Sequence, residues 1–239
     1  MTKGRTKAAA RKESREAMLA EGARILHDMP VGNVLSQIKA TEVAKGAHKT
    51  TGAFYNIWQD HNAYRRELIR YVLEPSRFDA VTEVIKDEVN RQKSASMQAL
   101  VRSVADKNFS ELKRNPFMGL QLTLWAKRES DPEMAAHLRG LYQGLNERLI
   151  PVYTMLLKNL NRRMRPPYEI QHLAVVMMAL LEGLHIRSEI DPDAVPENLG
   201  AALDGIEYDP EHPWSLFAAA SYALVESMTI DRSREDDLA

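Results

Sequence analysis

Glu182 and His185 stand three residues apart in EGLH, a spacing that puts a carboxylate and an imidazole on one face of a helix. Paired Glu-x-x-His motifs of this kind hold metals in di-iron bundles, but such a site needs two of them and two further glutamates. The histidines of this chain are not expected to complete one. No phosphate-cradling P-loop, no GxGxxG after a strand and no GxSxG nucleophile elbow occurs in the sequence. We therefore expect no catalytic residue, no metal and no cofactor. Glu182 and His185 read instead as a polar pair at the edge of a pocket or interface.

A second group of residue types suits contact with nucleic acid. Lys49, Thr50, Thr51, Gly52, Ala53, Tyr55 and Asn56 follow one another within eight positions. Gly52 and Ala53 lack bulk and let a backbone come close to DNA. Threonine methyls can touch thymine methyls, and Asn56 can pair with an adenine edge or a phosphate. Lys39 and Thr41 precede them at the expected start of a helix, whose N-terminus favours anions. Arg5 and Lys7 belong to a basic stretch, residues 1 to 12, without apolar periodicity. It reads as an arm that follows phosphates or reaches a minor groove.

These side chains need two short helices and a tight turn to present them. Val43 and Ala44 are apolar in the first helix, and Phe54, Ile57 and Trp58 in the second. Between them Gly46 supplies a flexible turn, and His48 is a type that tolerates the left-handed region. Thr50 or Thr51 offers an N-cap hydroxyl. Two helices joined by such a turn form a helix-turn-helix, whose second helix enters the major groove. A helix over 13 to 29 supplies a third wall through Met18, Gly22, Ile25, Leu26 and Met29, with Pro30 and Gly32 stopping it. Asp60 caps a fourth helix that turns Tyr64, Leu68, Tyr71 and Val72 inward and ends at Glu74-Pro75.

Thr50-Thr51-Gly52-Ala53-Phe54-Tyr55, followed by Trp58 and Asp60, resembles the recognition-helix signature of the tetracycline-repressor (TetR/AcrR) family of transcriptional regulators. The likeness covers roughly residues 15 to 73, about a quarter of the chain. His48 stands where a Gly is usual, Lys49 where a Val is usual, and His61 where a phosphate-contacting Lys is usual. The resemblance implies that Tyr55 and position 61 touch phosphates and that the protein works as a homodimer. It also implies a small effector that changes the spacing of two recognition helices.

Composition fits this reading. Residues 1 to 75 hold 13 Lys and Arg against 8 Asp and Glu, and the remainder 19 against 25. Positive charge thus gathers on the segment that would meet phosphates. There is no cysteine, and the longest strongly apolar run, Leu173 to Leu181, is too short to span a bilayer. A cytoplasmic protein is expected.

Beyond residue 74 the apolar spacing stays helical. Helices are expected over 78 to 108, from Asn115-Pro116, and from Ser130-Asp131-Pro132 through Pro151 with a kink. Further ones are expected over 168 to 187, near 197 to 203, and over 214 to 228. Met97, Met118, Gln121, Trp125, Tyr142 and Glu182 are candidates to line a mostly apolar effector pocket. LAVVMMALL is apolar all round, and the Trp214 to Met228 segment is similar, so both need cover on two sides. They form either the central helices of a monomer or a four-helix interface between two copies. For the interface the candidates are Leu173, Val176, Met177, Leu180, Leu184, Trp214, Phe217, Ala218, Ser221, Tyr222 and Val225.

The expected architecture is all-α: a flexible arm (1 to 12), a DNA-binding head (13 to 73), a ligand-binding and dimerisation body (74 to 230) and a charged tail (231 to 239). The expected function is a DNA-binding regulator, acting as a repressor on a palindromic operator. The competing reading is a helical enzyme or small-molecule carrier in which residues 38 to 64 are only scaffold.

Overall fold

The computed structural model describes residues 6–28, 38–92, 95–115, 118, 121, 124–125, 131–200 and 209–233. The chain divides into two compact units. The first is Met1–Arg77 with Pro116–Leu141, and the second is Phe78–Asn115 with Tyr142–Ala239.

The first unit contains α1 (Lys7–Asp28), α2 (Ala40–Gly46), α3 (Thr51–Ile57) and α4 (His61–Val72). Helix α1 starts six residues before the expected Glu13, so Lys7, Arg11 and Lys12 lie on a helix and not on a loose arm. Arg5, Met29, Pro30, Gly32 and the tail beyond Ser233 lie outside the described residues. Met18, Leu19, Ala23 and Leu26 of α1 pack with Val43, Ala44, Phe54, Trp58, Tyr64 and Leu68, all buried. Helices α3 and α4 each have a side-chain cap that the sequence supplies, whereas α2 has none. Thr50 Oγ1 accepts from Ala53 N–H at 3.1 Å, and Asp60 Oδ1 from Ala63 N–H at 2.7 Å. The Tyr64 hydroxyl donates to the Met18 carbonyl at 3.0 Å, and burial pushes its pKa well up.

That hydrogen bond explains Gly22. A Cβ there would lie 1.9 Å from the Tyr64 hydroxyl oxygen and 3.1 Å from both Leu68 methyls. Glycine inside a helix ordinarily costs about 0.5–1 kcal/mol relative to alanine. Here the sign should reverse, because the added methyl must displace a rigid, fully buried ring. We expect Gly22→Ala to destabilise the protein by about 1–3 kcal/mol. A higher melting temperature in the variant would contradict the close approach.

The first unit also holds Met118, Gln121 and Leu124, all buried and helical, and the first turns of α7 (Pro132–Asn159). Asp131 Oδ1 caps α7 by accepting from Met134 N–H at 3.0 Å. Arg70 near the end of α4 lies 3.7 Å from Glu133. Both side chains are more than half exposed, so this pair holds little energy.

The second unit comprises α5 (Asp79–Arg91), α6 (Met97–Lys113), the rest of α7, α8 (Ile170–Ile190) and α9 (Leu216–Met228). Helix α7 runs through Pro151 without stopping, at the cost of one backbone bond. Its core joins Ile85, Val89, Leu100, Val101 and Val104 to Leu149, Val152, Leu156, Leu173, Met177 and Val225. Glu88 sits buried at the edge of this core. Burial alone would raise its pKa, but bonds from Lys107, Ser103 and Gln92 hold it below the ordinary value.

Two features depart from the sequence reading. Strand β1 (Arg162–Met164) pairs antiparallel with β2 (Thr229–Asp231), with Arg163 opposite Ile230. Three residues are too few for alternation to show in a sequence, and the ladder ties the end of α9 to the α7–α8 connection. The helix expected near 197 to 203 is not seen over Glu197–Gly200, and residues 201–203 lie outside the described ones. A 3₁₀ turn at Pro192–Ala194 stands earlier in that connection. Among the described residues no helix is long and apolar enough to cross a membrane.

Candidate DNA-binding face

The turn between α2 and α3 is made by His48, whose φ is +55°. This places the chain in the left-handed region that His tolerates better than most non-glycine residues. Gly46, expected to supply the turn's flexibility, ends α2 without a positive φ. Its lack of a side chain serves packing, since a Cβ would lie 2.0 Å from Glu21 Oε1. Lys49 N–H donates to the Ala44 carbonyl at 2.7 Å and closes the turn.

With the turn set, α3 buries one residue fully and presents the others. Phe54 is the buried one, with ring centroids at 5.0 Å from Trp58, 4.8 Å from Tyr64 and 5.9 Å from His61. Trp58 Nε1 donates to Glu67 at 2.8 Å, tying the end of α3 to α4. Opposite this packing, Gly52, Tyr55 and Asn56 are exposed, and Lys49, Thr51 and Ala53 partly so. Thr50 is exposed, but its hydroxyl is occupied by the cap. Lys39 and Thr41 are exposed at the start of α2, with Lys39 3.4 Å from Glu42. Lys7 is exposed on the first turn of α1. These side chains thus form an outward, mostly uncharged helix face flanked by lysines.

His61 is the exception among the proposed DNA contacts. Its Nε2 bonds to the Ile38 carbonyl, so the ring faces into the unit and bridges α4 to the segment before α2. Burial and then the neighbouring Arg65 push its pKa down, leaving it neutral at pH 7. A neutral, inward-bonded imidazole cannot replace the phosphate-contacting lysine that the resemblance puts here. Because the folded pKa lies below the unfolded one, this contribution to stability is present above pH ~6.5 and lost on acidification. We expect the protein to lose stability between pH 7 and 5, and His61→Asn to flatten that dependence in thermal melts. An unchanged profile would count against it.

The C-terminal domain model of BetI-type transcriptional repressors matches residues 97–204. Over nearly the whole chain the structure superposes on solved TetR-type proteins. A TetR transcription regulator from Haloarcula marismortui matches with a TM-score of 0.58 and 12% identity, covering 92% of this chain and 100% of that one. The fold is the TetR-family fold. Salmonella enterica GusR aligns with a TM-score of 0.57 at 12% identity, over 93% and 97% of the two chains. Bacillus subtilis FadR, in complex with stearoyl-CoA, aligns with a TM-score of 0.51 at 14% identity, over 88% and 95%. No curated protein sequence matches the chain. The family resemblance and all-α class read from the sequence are borne out.

Within this fold the expected interface residues divide into two groups. Leu173, Met177, Trp214, Phe217, Ala218, Ser221 and Val225 are buried within their own unit, so they serve its core and not an outer face. Val176 is exposed, and Leu180, Leu184 and Tyr222 are partly so. The outward side of α8 instead presents Val175 (51% exposed), Val176 (37%) and Ala179. The sequence shows that LAVVMMALL needs two covered sides, but not which residue faces which.

The expected pocket residues are also divided. Met118 and Gln121 are buried in the first unit, where Trp125 is exposed, while Met97, Tyr142 and Glu182 belong to the second. Tyr142 donates to Glu182 at 3.3 Å. The second unit's apolar cavity, about 20 Å³, is lined by other residues, among them Val104, Leu149, Tyr153, Met177 and Phe217, with Asn108 and Ser221 as polar members. It holds about one water. Ser221, expected at the interface, is fully buried and its hydroxyl has no hydrogen-bond partner.

His185 is buried with Nδ1 unpartnered, and burial pushes its pKa down. The Glu-x-x-His spacing recurs at Glu169 and His172, which the expectation passed over. There it caps α8, with His172 Nδ1 accepting from Glu169 N–H at 3.0 Å. Among the described residues no group of three or more metal-ligating side chains comes together.

Proposed function

We propose that the protein is a sequence-specific DNA-binding transcriptional repressor that acts as a homodimer on a palindromic operator. The observation that carries this reading is the outward face of α3. Gly52, Ala53, Tyr55 and Asn56 point away from a rigid aromatic core, flanked by Lys39 and Lys49. Residues up to about 73 form the DNA-reading head, and residues 74 to 230 the effector and dimerisation body. Two such heads on a two-fold axis read half-sites about one helical turn apart, ~34–36 Å. The exposed apolar strip of Val175, Val176 and Ala179, with Leu180 and Leu184 beside it, supports pairing through α8 and α9.

A small, largely apolar effector releases the operator by binding one head spacing more tightly than the other. The stearoyl-CoA held by FadR supports an apolar ligand for this fold. The small apolar cavity lined by Val104, Leu149, Tyr153 and Met177 must open to admit such a molecule. Footprinting on genomic fragments tests the reading. A protected dyad with steep salt dependence is expected, whereas a carrier or enzyme would protect nothing.

A further inference from the structure

Lys7, Arg11 and Arg15 follow one another at four-residue spacing on α1, which aligns them along one side of the helix. Next to them runs an open groove of about 470 Å³ lined by Ala8, Arg11, Lys12, Arg15, Ile57 and Glu67. It therefore lies between the first turns of α1 and the C-terminal end of α3. Arg11 Nη2 donates to the Asn56 carbonyl at 3.0 Å, in the last turn of α3. Carbonyls there lack intrahelical partners and carry the negative end of the helix dipole. The guanidinium is thus held at the groove wall beside the recognition helix, with further N–H donors in solvent.

Arg15 is committed elsewhere. Its Nε lies 2.5 Å from Glu67, and the other Glu67 oxygen takes the Trp58 Nε1–H. That ion pair spends the one carboxylate in the groove. The uncompensated charges are Arg11 and Lys12, with Lys7 a turn ahead. Lys7 and Lys12 are exposed and have no ion-pair partner among the described residues. A merely solvated basic face would need neither the groove nor the anchor on α3.

We propose that this groove seats the sugar-phosphate backbone of double-stranded DNA beside the bases that α3 reads, with Arg11 and Lys12 on phosphates and Lys7 on the backbone one turn along. The inference rests on the DNA-binding reading and extends the contact to a helix outside the helix-turn-helix pair. Each neutralised phosphate releases counterions, so each contact adds about 0.9 to the slope of log affinity against log salt.

The test is the binding of a labelled random-sequence duplex across about 50 to 200 mM salt, which needs no knowledge of the operator. Lys12→Gln should make the slope shallower by about one, and Lys7→Gln/Lys12→Gln by about two. Lys158→Gln, an exposed lysine of α7, should leave it unchanged. Melting temperatures should stay the same, since neither Lys7 nor Lys12 has an ion-pair partner to lose among the described residues. If the parent protein binds and the double variant has the same slope, the groove contact is overturned while the DNA-binding reading stands. If the parent protein binds no duplex at all, both fall.

Discussion

Thr51→Glu should abolish DNA binding and leave the fold of the protein intact. Thr51 is the first residue of α3, immediately after the Thr50 cap. A carboxylate in the first turn of a helix interacts favourably with the positive end of its dipole, so α3 itself should be held as well or better. The same carboxylate would stand where a duplex must bring its own negative charge. Loss of a base or phosphate contact costs about 1–3 kcal/mol, and opposed like charges add several more. In the proposed dimer two heads pay this twice. We expect at least a hundredfold weaker binding, with an unchanged melting temperature and an unchanged mass in solution. If a footprint survives the substitution, α3 is not the helix that enters the groove.

Phe54→Ala should have the largest effect on stability. Phe54 is fully buried, and four aromatic partners, Tyr55, Trp58, His61 and Tyr64, lie within 6 Å of it, centroid to centroid. They come from α3, its end and α4, so one ring holds together the elements that orient the recognition face. Truncating such a ring leaves a cavity that two seven-residue helices cannot collapse to fill. The expected cost is about 3–5 kcal/mol, a large share of the ~5–15 kcal/mol that a typical domain has available. Chemical denaturation should show it directly, and DNA binding should fall in parallel because α3 loses its backing. A loss under about 1 kcal/mol would mean that the head is not built on this ring. The two variants separate cause from consequence, since the first removes binding without stability and the second removes binding through stability.

What could be read from the chain alone were its local statements. The caps at Thr50 and Asp60 and the left-handed turn at His48 depend on one residue and its near neighbours, and the structure has them where the residue types put them. The inward set Val43, Phe54, Trp58, Tyr64 and Leu68 follows from 3.6-residue spacing, which is also local. Partners distant in sequence were not legible. Gly46 reads as a turn device and Gly22 as one more member of a helix wall, yet each is small because a particular side chain, Glu21 or Tyr64, passes against it. His61 sat in a DNA-contact register until its ring bonded to Ile38, 23 positions earlier. The α8 and α9 apolar residues were equally apolar on paper. Only packing decided that Leu173, Met177 and Val225 serve the unit's own core while Val175 and Val176 are left outside. Hydrophobic pattern says how much surface must be covered. Which neighbour covers it is fixed by chain segments that meet only after folding.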